Sequence, residues 1–255
     1  MADQSIYQGS FKDDEYNGIG TLKTFNYIYK GEFIKGKKNG KGVYEDLLIN
    51  SLYEGEFKND FKDGHGVEQY SDGSKYEGDF KGGSKDGNGV LILKGENNMN
   101  SVYKGQFKKD KIWGKGIYKW SNKKFYCGEW ENNEISGFGA LIDEKVKHIG
   151  FFSHDKKEGY GASFYIEQSH VLLSRWKNDL IEGFCVIYPL NENDKKKEVI
   201  VYADQGNIIN EELNENDILK IKSSNEYKIL FKLFHMKFMP EYFKFVNKNI
   251  DDIKI

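Results

Sequence analysis

Aromatic and glycine positions alternate in a pattern that repeats along most of the chain. An opening residue is followed two positions later by glycine and four positions later by an aromatic ring, with polar residues between them. Because side chains at i, i+2 and i+4 share one face of a β-strand, the pattern predicts strands that carry their rings on one side. The copies open at Tyr7, Tyr29, Tyr53, Tyr76, Tyr103 and Tyr126, and then at His148 and Leu172.

A second glycine-containing segment follows each opening segment at a fixed distance. A glycine lies eleven residues after every start, as Gly64 does after Tyr53, and in seven copies another glycine follows two residues later. Length varies only between that second glycine and the next start, so insertions are confined to one connection per copy. Short polar segments such as residues 58–63 suit a hairpin turn. We therefore predict one β-hairpin per copy.

Single hairpins are marginally stable, and stacking lets each one bury its rings against the next. Glycine in a strand leaves a space over which a neighbouring ring can lie. The fold class that follows is an all-β repeat, an elongated, twisted, single-layer antiparallel sheet of stacked hairpins, with a C-terminal α-helical cap. We assign residues 5–209 to the array, with eight clear copies and a weak ninth, and residues 210–255 to a helical extension that caps it.

The residues themselves are more specific than the pattern. Residues 53–57 and 64–67 read YEGEF and GHGV, and residues 76–80 and 87–90 read YEGDF and GNGV. These segments closely resemble the MORN repeat (membrane occupation and recognition nexus), and the resemblance covers residues 5 to about 209. Departures lie late in the chain, at His148, Leu172, Ser174 and Cys185. The resemblance implies a scaffold of the kind found in radial-spoke heads and cortical cytoskeletons.

The end of the array and the segment after it have a different character. Copy eight has gained Val171, Leu173 and Val186, which is typical of a strand covered on both faces. Ser223 and Glu226 predict a capping box, and apolar residues from Tyr227 to Phe238 then follow at helical spacing. Residues 241–255 predict a second helix. The helices either cap the open edge of the last hairpin or dock a partner or membrane, and both roles can hold together.

Composition and charge exclude some classes of function. The net charge is −2 and Arg175 is the only arginine, which argues against nucleic-acid binding because that depends on arginine forks and a basic face. We find neither a secretory signal nor an apolar stretch long enough to span a bilayer, and we expect a cytoplasmic protein. Cys127 and Cys185 would lie about five strands, roughly 24 Å, apart, too far for a disulfide.

The search for catalytic chemistry finds no candidate residues. The glycine-rich residues 82–89 lack the order of a phosphate-binding loop and fit a repeat hairpin. The five histidines are scattered, with no cysteine or carboxylate at ligand spacing, so we expect neither a metal nor a cofactor. Carboxylates such as Glu54, Glu56 and Asp79 lie opposite the rings beside lysines and fit a charged outer surface. We expect no enzymatic activity.

Binding is the function that the pattern favours. We predict that protein partners bind along the aromatic face, on a groove floored by Tyr53, Phe57, Tyr76, Phe80, Tyr103, Phe107, Tyr126 and Trp130. The alternative for each ring is simple packing against its neighbours. The expected partners are cytoskeletal or axonemal proteins, in the cytoskeleton or a cilium. Two further alternatives are an anionic membrane surface and a homodimer through a terminal strand edge.

Overall fold

The computed structural model describes residues 5–189, 198–209 and 213–235, without the side chains of residues 98 and 233–235. The described residues form one open, antiparallel sheet of eighteen strands in stacked hairpins, followed by two short helices, which confirms the predicted fold class. The first strands are β1 (Ile6–Lys12), β2 (Glu15–Lys23), β3 (Tyr27–Ile34), β4 (Lys37–Asp46), β5 (Ser51–Lys58), β6 (Phe61–Gln69), β7 (Lys75–Lys81), β8 (Ser84–Leu93) and β9 (Ser101–Lys108). The others are β10 (Lys111–Lys119), β11 (Phe125–Glu131), β12 (Glu134–Ile142), β13 (Val146–Ser153), β14 (Lys156–Tyr165), β15 (His170–Lys177), β16 (Leu180–Pro189), β17 (Val199–Asp204) and β18 (Asn207–Ile209). The helices are α1 (Glu215–Ser223) and α2 (Asn225–His235).

By internal contacts the chain divides into two units, Met1–Gly114 and Lys115–Ile255. Both units use the same strand register, in which the glycines of neighbouring strands lie opposite one another. In the first unit Gly55 pairs with Gly42 on one side and with Gly66 on the other. In the second unit Gly139 pairs with Gly128 and Gly150 in the same way. A row of glycines therefore crosses the strands of each unit.

Two-residue turns close the hairpins. In the turn between β5 and β6, Asn59 and Asp60 both have positive φ angles, 49° and 73°. Two consecutive positive φ angles define the type I′ turn, whose twist matches that of the flanking strands and which favours Asn, Asp and Gly. The predicted connection of residues 58–63 is therefore shorter than expected, since β6 already begins at Phe61.

The turn residues also fasten each hairpin to the preceding one. The backbone amide of Asp60 donates to the Lys38 carbonyl at 3.0 Å, and the Asp60 Oδ1 atom accepts from the Lys38 amide at 2.9 Å. Asp110 makes the same pair of contacts with Lys85. In the second unit Asp179 does so with Lys157. The turns thus join neighbouring repeats in addition to reversing the chain.

The long connection at residues 95–100 forms one turn of 3₁₀-helix, Glu96–Asn98. It begins at Gly95, where any side chain would collide with the backbone: a Cβ atom there would overlap the Met99 carbonyl oxygen. The Gly95 amide donates to Asn100 Oδ1 at 3.2 Å. The insertion is therefore an ordered excursion between β8 and β9.

The end of the array differs in part from the sequence-based expectation. Residues of the weak ninth copy form the hairpin of β17 and β18. Helix α1, which we did not predict, begins at the N-cap Asn214, whose side chain accepts from the Asp217 amide. The predicted capping box at Ser223 is wrong, because the Ser224 hydroxyl accepts from the Tyr227 amide whereas the Ser223 hydroxyl donates to carbonyls within α1.

The predicted second helix, residues 241–255, lies outside the described residues, as does Phe238. The prediction that copy eight is covered on both faces is confirmed. On one face Val171, Leu173 and Val186 pack with Leu230 of α2. On the other face Leu172, Trp176 and Cys185 form a second buried cluster with Ala203. Among the described residues no helix has the length and apolar character needed to cross a bilayer.

Candidate binding surface

Within each unit the predicted site residues point to one face of the sheet, which we call the ring face. Six of them, in the first unit, form a ladder of edge-to-face contacts. The Tyr53 ring lies 5.2 Å from Phe57 in its own copy and 5.0 Å from Phe80 in the next, with the ring planes nearly perpendicular. Tyr76 contacts Phe80 and Phe107 at 5.2 and 5.0 Å in the same way. Each Phe is therefore shared by two tyrosines.

The second unit has the same kind of ring contacts, with substitutions. Tyr126 contacts Trp130 at 5.2 Å and Phe152 at 5.4 Å. In the next copy His148 takes the place of the tyrosine and contacts Phe152 and Trp176 edge-to-face. The histidine is fully buried and its Nδ1 atom lies 2.8 Å from the Ser163 hydroxyl. Burial lowers the pKa of His148 to about 3, and the nearby Lys157 ammonium adds to the effect.

The paired glycines provide the space in which the tyrosine rings lie. A Cβ atom on Gly66 would be 2.5 Å from Cε2 of Tyr53, so only glycine leaves room for the ring. The Tyr53 hydroxyl reaches past the glycine and donates to the Glu56 carbonyl at 3.0 Å. Burial raises the pKa of Tyr53 well above its ordinary value. The hydroxyl is thus a neutral donor with a fixed structural partner.

The rings offer almost no surface to a partner. Their exposed fractions run from 0 to 6%, which supports the packing alternative for all eight positions: Tyr53, Phe57, Tyr76, Phe80, Tyr103, Phe107, Tyr126 and Trp130. Lysine ammonium groups also lie over the rings, with Lys62 Nζ 4.8 Å from the Tyr53 centroid and Lys85 Nζ 5.4 Å from that of Tyr76. Lysine stems of this kind cover rings while the charge stays near water. Direct contact of a partner with the rings stays a prediction.

The opposite face of the sheet, which we call the far face, carries open depressions in the first unit. One depression of about 630 Å³ is lined by residues that include Glu77, Asp79, Val90 and Lys104. A second, of about 460 Å³, is lined by residues that include Val43, Glu54, Glu56 and Val67. His65 lines both depressions, so they adjoin.

Strand register places valines and charged residues alternately along the far face. Glu54 lies opposite Val43 and Val67, and Glu77 lies opposite Val67 and Val90. This row was missed by the sequence-based reasoning. The sequence does contain a signal for it, because a valine lies fourteen residues after the opening tyrosine of copies two, three and four, at Val43, Val67 and Val90. The row presents apolar strips between fixed charges, a combination suited to an extended or helical protein segment.

Some carboxylates of the far face have structural roles. Asp79 Oδ2 accepts from the Asn88 amide at 3.0 Å, and Glu32 Oε1 accepts from the Lys41 amide at 3.0 Å. In the second unit Glu129 Oε2 accepts from the Phe138 amide at 3.2 Å. The register of each hairpin shifts at a β-bulge just after the glycine pair, as between Gly78 and Phe80, and these carboxylates stabilise that bulge. They are therefore more than the charged surface that the sequence predicted.

In the second unit part of the far face is covered by α2. Leu230 is buried against Ala162, Val171 and Leu173. The Tyr188 and Tyr227 hydroxyls both donate to Glu198 Oε2, at 2.6 and 2.9 Å, and Lys222 pairs with the other oxygen of that carboxylate. The helix is thus held by an apolar contact and by a polar cluster at its side.

The fold and the two faces define a β-hairpin repeat protein in which neighbouring copies build continuous surfaces. The chain belongs to the MORN repeat family, because the family model matches more than half of it: residues 7–26, 29–46, 53–75, 76–94, 103–124, 126–143, 148–162 and 174–189. MORN repeats are in general non-catalytic scaffold repeats that bind proteins or membranes. No curated protein matches the chain significantly. Among the described residues no group of three or more His, Cys, Asp or Glu side chains could hold a metal ion.

Proposed function

We propose that this protein is a non-enzymatic scaffold that binds protein partners in a cytoskeletal assembly such as a cilium or axoneme. The observation that supports the proposal most directly is the alternation of Val43, Glu54, Val67, Glu77 and Val90 across the far face of the first unit. A segment laid across these strands would gain apolar contacts and would be oriented by the charges between them. The buried rings would support binding indirectly, because they fix the spacing of the strands.

The test of this function is proximity labelling in the cells that express the protein, followed by binding assays with each purified candidate. The test variant reverses two far-face charges, Glu54→Lys with Glu77→Lys. The matched control, Glu131→Lys with Glu134→Lys, makes the same change in net charge at an exposed hairpin end of the second unit. We expect the labelling to recover cytoskeletal proteins. Their affinity for the purified chain should fall at least about tenfold in the far-face variant and stay unchanged in the control. If no cytoskeletal protein is recovered, the proposed cytoskeletal assembly is wrong. If both variants lose affinity equally, the far face is not the binding site.

A second candidate function is attachment to an anionic membrane surface, and one observation favours it. Two adjacent loops of the first unit expose apolar side chains: Phe25 is 88% exposed, and Leu48 and Ile49 are 66 and 63% exposed. The Leu47 amide donates to the Asn26 carbonyl at 2.8 Å, which ties the loops together. Exposed apolar side chains on ordered loops suit insertion at a bilayer surface.

Flotation with phosphoinositide-containing vesicles at low and physiological salt tests the membrane alternative. Phe25→Ser with Ile49→Ser should abolish flotation if the loops insert. Absence of flotation at both salt concentrations excludes this function.

We also include a second copy of the chain, joined through a terminal strand edge, among the proposed partners.

A further inference from the structure

Strand β1 has an unpaired outer edge. Within the described part of the chain β1 pairs with β2 alone, so one row of its backbone donors and acceptors faces no other strand. Natural proteins blunt such edges with proline, with inward-pointing charges or with a covering loop. The seven residues of β1, IYQGSFK, contain no proline, and Ile6 and Phe11 at its two ends are 66 and 60% exposed. As far as the described residues go, the edge is therefore open to another strand.

The ring ladder is also incomplete at this edge. Phe33 contacts Tyr29 of its own copy and Tyr7 of the preceding copy, at 5.1 and 5.3 Å, and is 1% exposed. Phe11 contacts Tyr7 and Tyr16 of its own copy, at 5.1 and 5.5 Å, but within the described residues no strand on its other side supplies a further tyrosine. Its large exposed fraction follows from this difference. The structure therefore leaves a place beside Phe11 that suits one more aromatic ring.

The register of the sheet indicates which strand fits. Each neighbouring pair in this part of the array aligns glycine with glycine, as in Gly9 with Gly20 and Gly20 with Gly31. If a second β1 pairs antiparallel with the first and aligns Gly9 with the partner subunit's Gly9, Tyr7 lies opposite the partner subunit's Phe11. Gln8 then lies opposite the partner subunit's Ser10. The segment is symmetric about Gly9 in its aromatic positions, so two-fold pairing satisfies both copies at once.

We propose that the chain forms a two-fold dimer through antiparallel pairing of β1, in which each Phe11 receives the Tyr7 ring of the partner subunit. The inference rests on the proposed scaffold function, since it names one of the partners and doubles the array. A second copy is favoured over a head-to-tail contact because β18, the last strand among the described residues, has three residues, Asn207–Ile209, and no aromatic ring to supply. Pairing of identical edges also closes the assembly at two copies.

The first experiment measures the mass of the purified full-length chain by light scattering over a range of concentrations. We expect a monomer–dimer equilibrium whose dissociation constant rises at least about tenfold in Phe11→Glu, because the carboxylate would be buried beside the partner subunit's Tyr7. Phe61→Glu is the matched control, since Phe61 is 58% exposed and lies at a hairpin end within the array. A wild-type monomer at all concentrations, or an equal effect of both variants, overturns the proposal.

The second experiment tests the register by disulfide trapping. Directly opposed residues of antiparallel strands have Cα atoms about 5 Å apart, within the range of a disulfide. Gln8→Cys combined with Ser10→Cys should therefore form covalent dimers on mild oxidation, whereas either change alone should not. Efficient cross-linking by a single variant shows a different register and overturns the model. Both experiments use only this chain, so their failure leaves partner binding on the far face untouched, and failure of that binding leaves the dimer untouched.

Discussion

The Nδ1 atom of His148 lies 2.8 Å from the hydroxyl oxygen of Ser163, at the position where the first six copies have a tyrosine. Its Nε2 atom has no hydrogen-bond partner within the described residues. The imidazole is buried and its pKa is lowered to about 3, so the folded protein holds this histidine neutral. This one substitution gives the otherwise regular ladder a group that responds to acid.

We predict an acid-dependent loss of stability from His148. A histidine whose folded pKa lies below its unfolded pKa contributes stability above about pH 6.5 that is lost as the pH falls toward 3, because the unfolded chain binds the proton first. Between pH 6.5 and 4.5 the loss is about 2 kcal/mol. The measurement is urea unfolding at several pH values for the wild type and His148→Tyr. The free energy of unfolding of His148→Tyr relative to that of the wild type should rise as the pH falls. A difference that does not change with pH contradicts the assignment.

The ring and the hydroxyl of each buried tyrosine should contribute separately. Tyr76 is fully buried, and its hydroxyl donates to the Asp79 carbonyl at 3.0 Å. Tyr76→Phe keeps the ring contacts and should cost about 1 kcal/mol, the value of one hydrogen bond. Tyr76→Ala removes the contacts with Phe80 and Phe107 and should cost about 4 kcal/mol. Similar costs for the two variants, measured by chemical denaturation, would show that the ring contacts contribute little.

Steric and conformational roles of glycine can be separated with two substitutions. Gly66→Ala places a methyl group within 2.5 Å of the Tyr53 ring and should cost about 2 to 3 kcal/mol. Gly36→Ala meets no atom within 4 Å, but Gly36 has a φ of 73°, so its cost should be about 1 kcal/mol. Thermal unfolding of both variants provides the comparison. A larger effect at Gly36 than at Gly66 would refute the steric role.

The contact between turns and preceding repeats should be measurable at Asp60. Asp60→Gly suits the positive φ of the turn but removes the carboxylate that accepts from the Lys38 amide, and should cost about 1 kcal/mol. Asp14→Gly is the matched control, because Asp14 occupies the same turn position in the first copy and its carboxylate accepts no such backbone hydrogen bond within the described residues. Equal effects of the two substitutions on the denaturation midpoint would assign the cost to the turn itself.

Leu230 should hold α2 on the sheet. Leu230→Ala leaves a cavity beside Val171, Leu173 and Val186 and should weaken docking of the helix by about 2 to 4 kcal/mol. We expect faster proteolytic cleavage within residues 213–235 while the circular dichroism of the sheet is retained. Ile229→Ala is the control, since Ile229 is exposed. Unchanged cleavage in Leu230→Ala would mean that the polar cluster around Glu198 holds the helix without it.

The hairpins and their register were predictable because a fixed spacing of rings and glycines leaves few ways to align two strands. Gly55 faces Gly66 because both belong to that spacing. The contacts of Asp60 with the preceding copy were not predicted, although acids recur at the same turn position in several copies. A turn residue is identified by its local conformation, whereas its partner 22 residues away depends on how hairpins stack.

Other differences have equally local causes. Helix α1 escaped prediction because it has nine residues with three apolar ones, Ile218, Leu219 and Ile221, which is too short a run to establish a helical period. The adjacent serines at 223 and 224 made the cap ambiguous by one residue. The burial of Tyr53 and its equivalents could not be deduced from one copy, since each ring is covered by the next copy and by a lysine. The far-face row likewise emerges only when neighbouring copies are aligned.

The glycine-to-glycine alignment has a consequence for how such a chain evolves. Neighbouring strands that align two glycines all pair in the same register. A gene duplication or deletion that spans one whole copy therefore creates no new kind of strand pairing. Loss of part of a copy, in contrast, would place a ring opposite a residue with a side chain. Selection can therefore adjust the number of docking positions in whole-repeat steps, while the sequence within each step stays constrained.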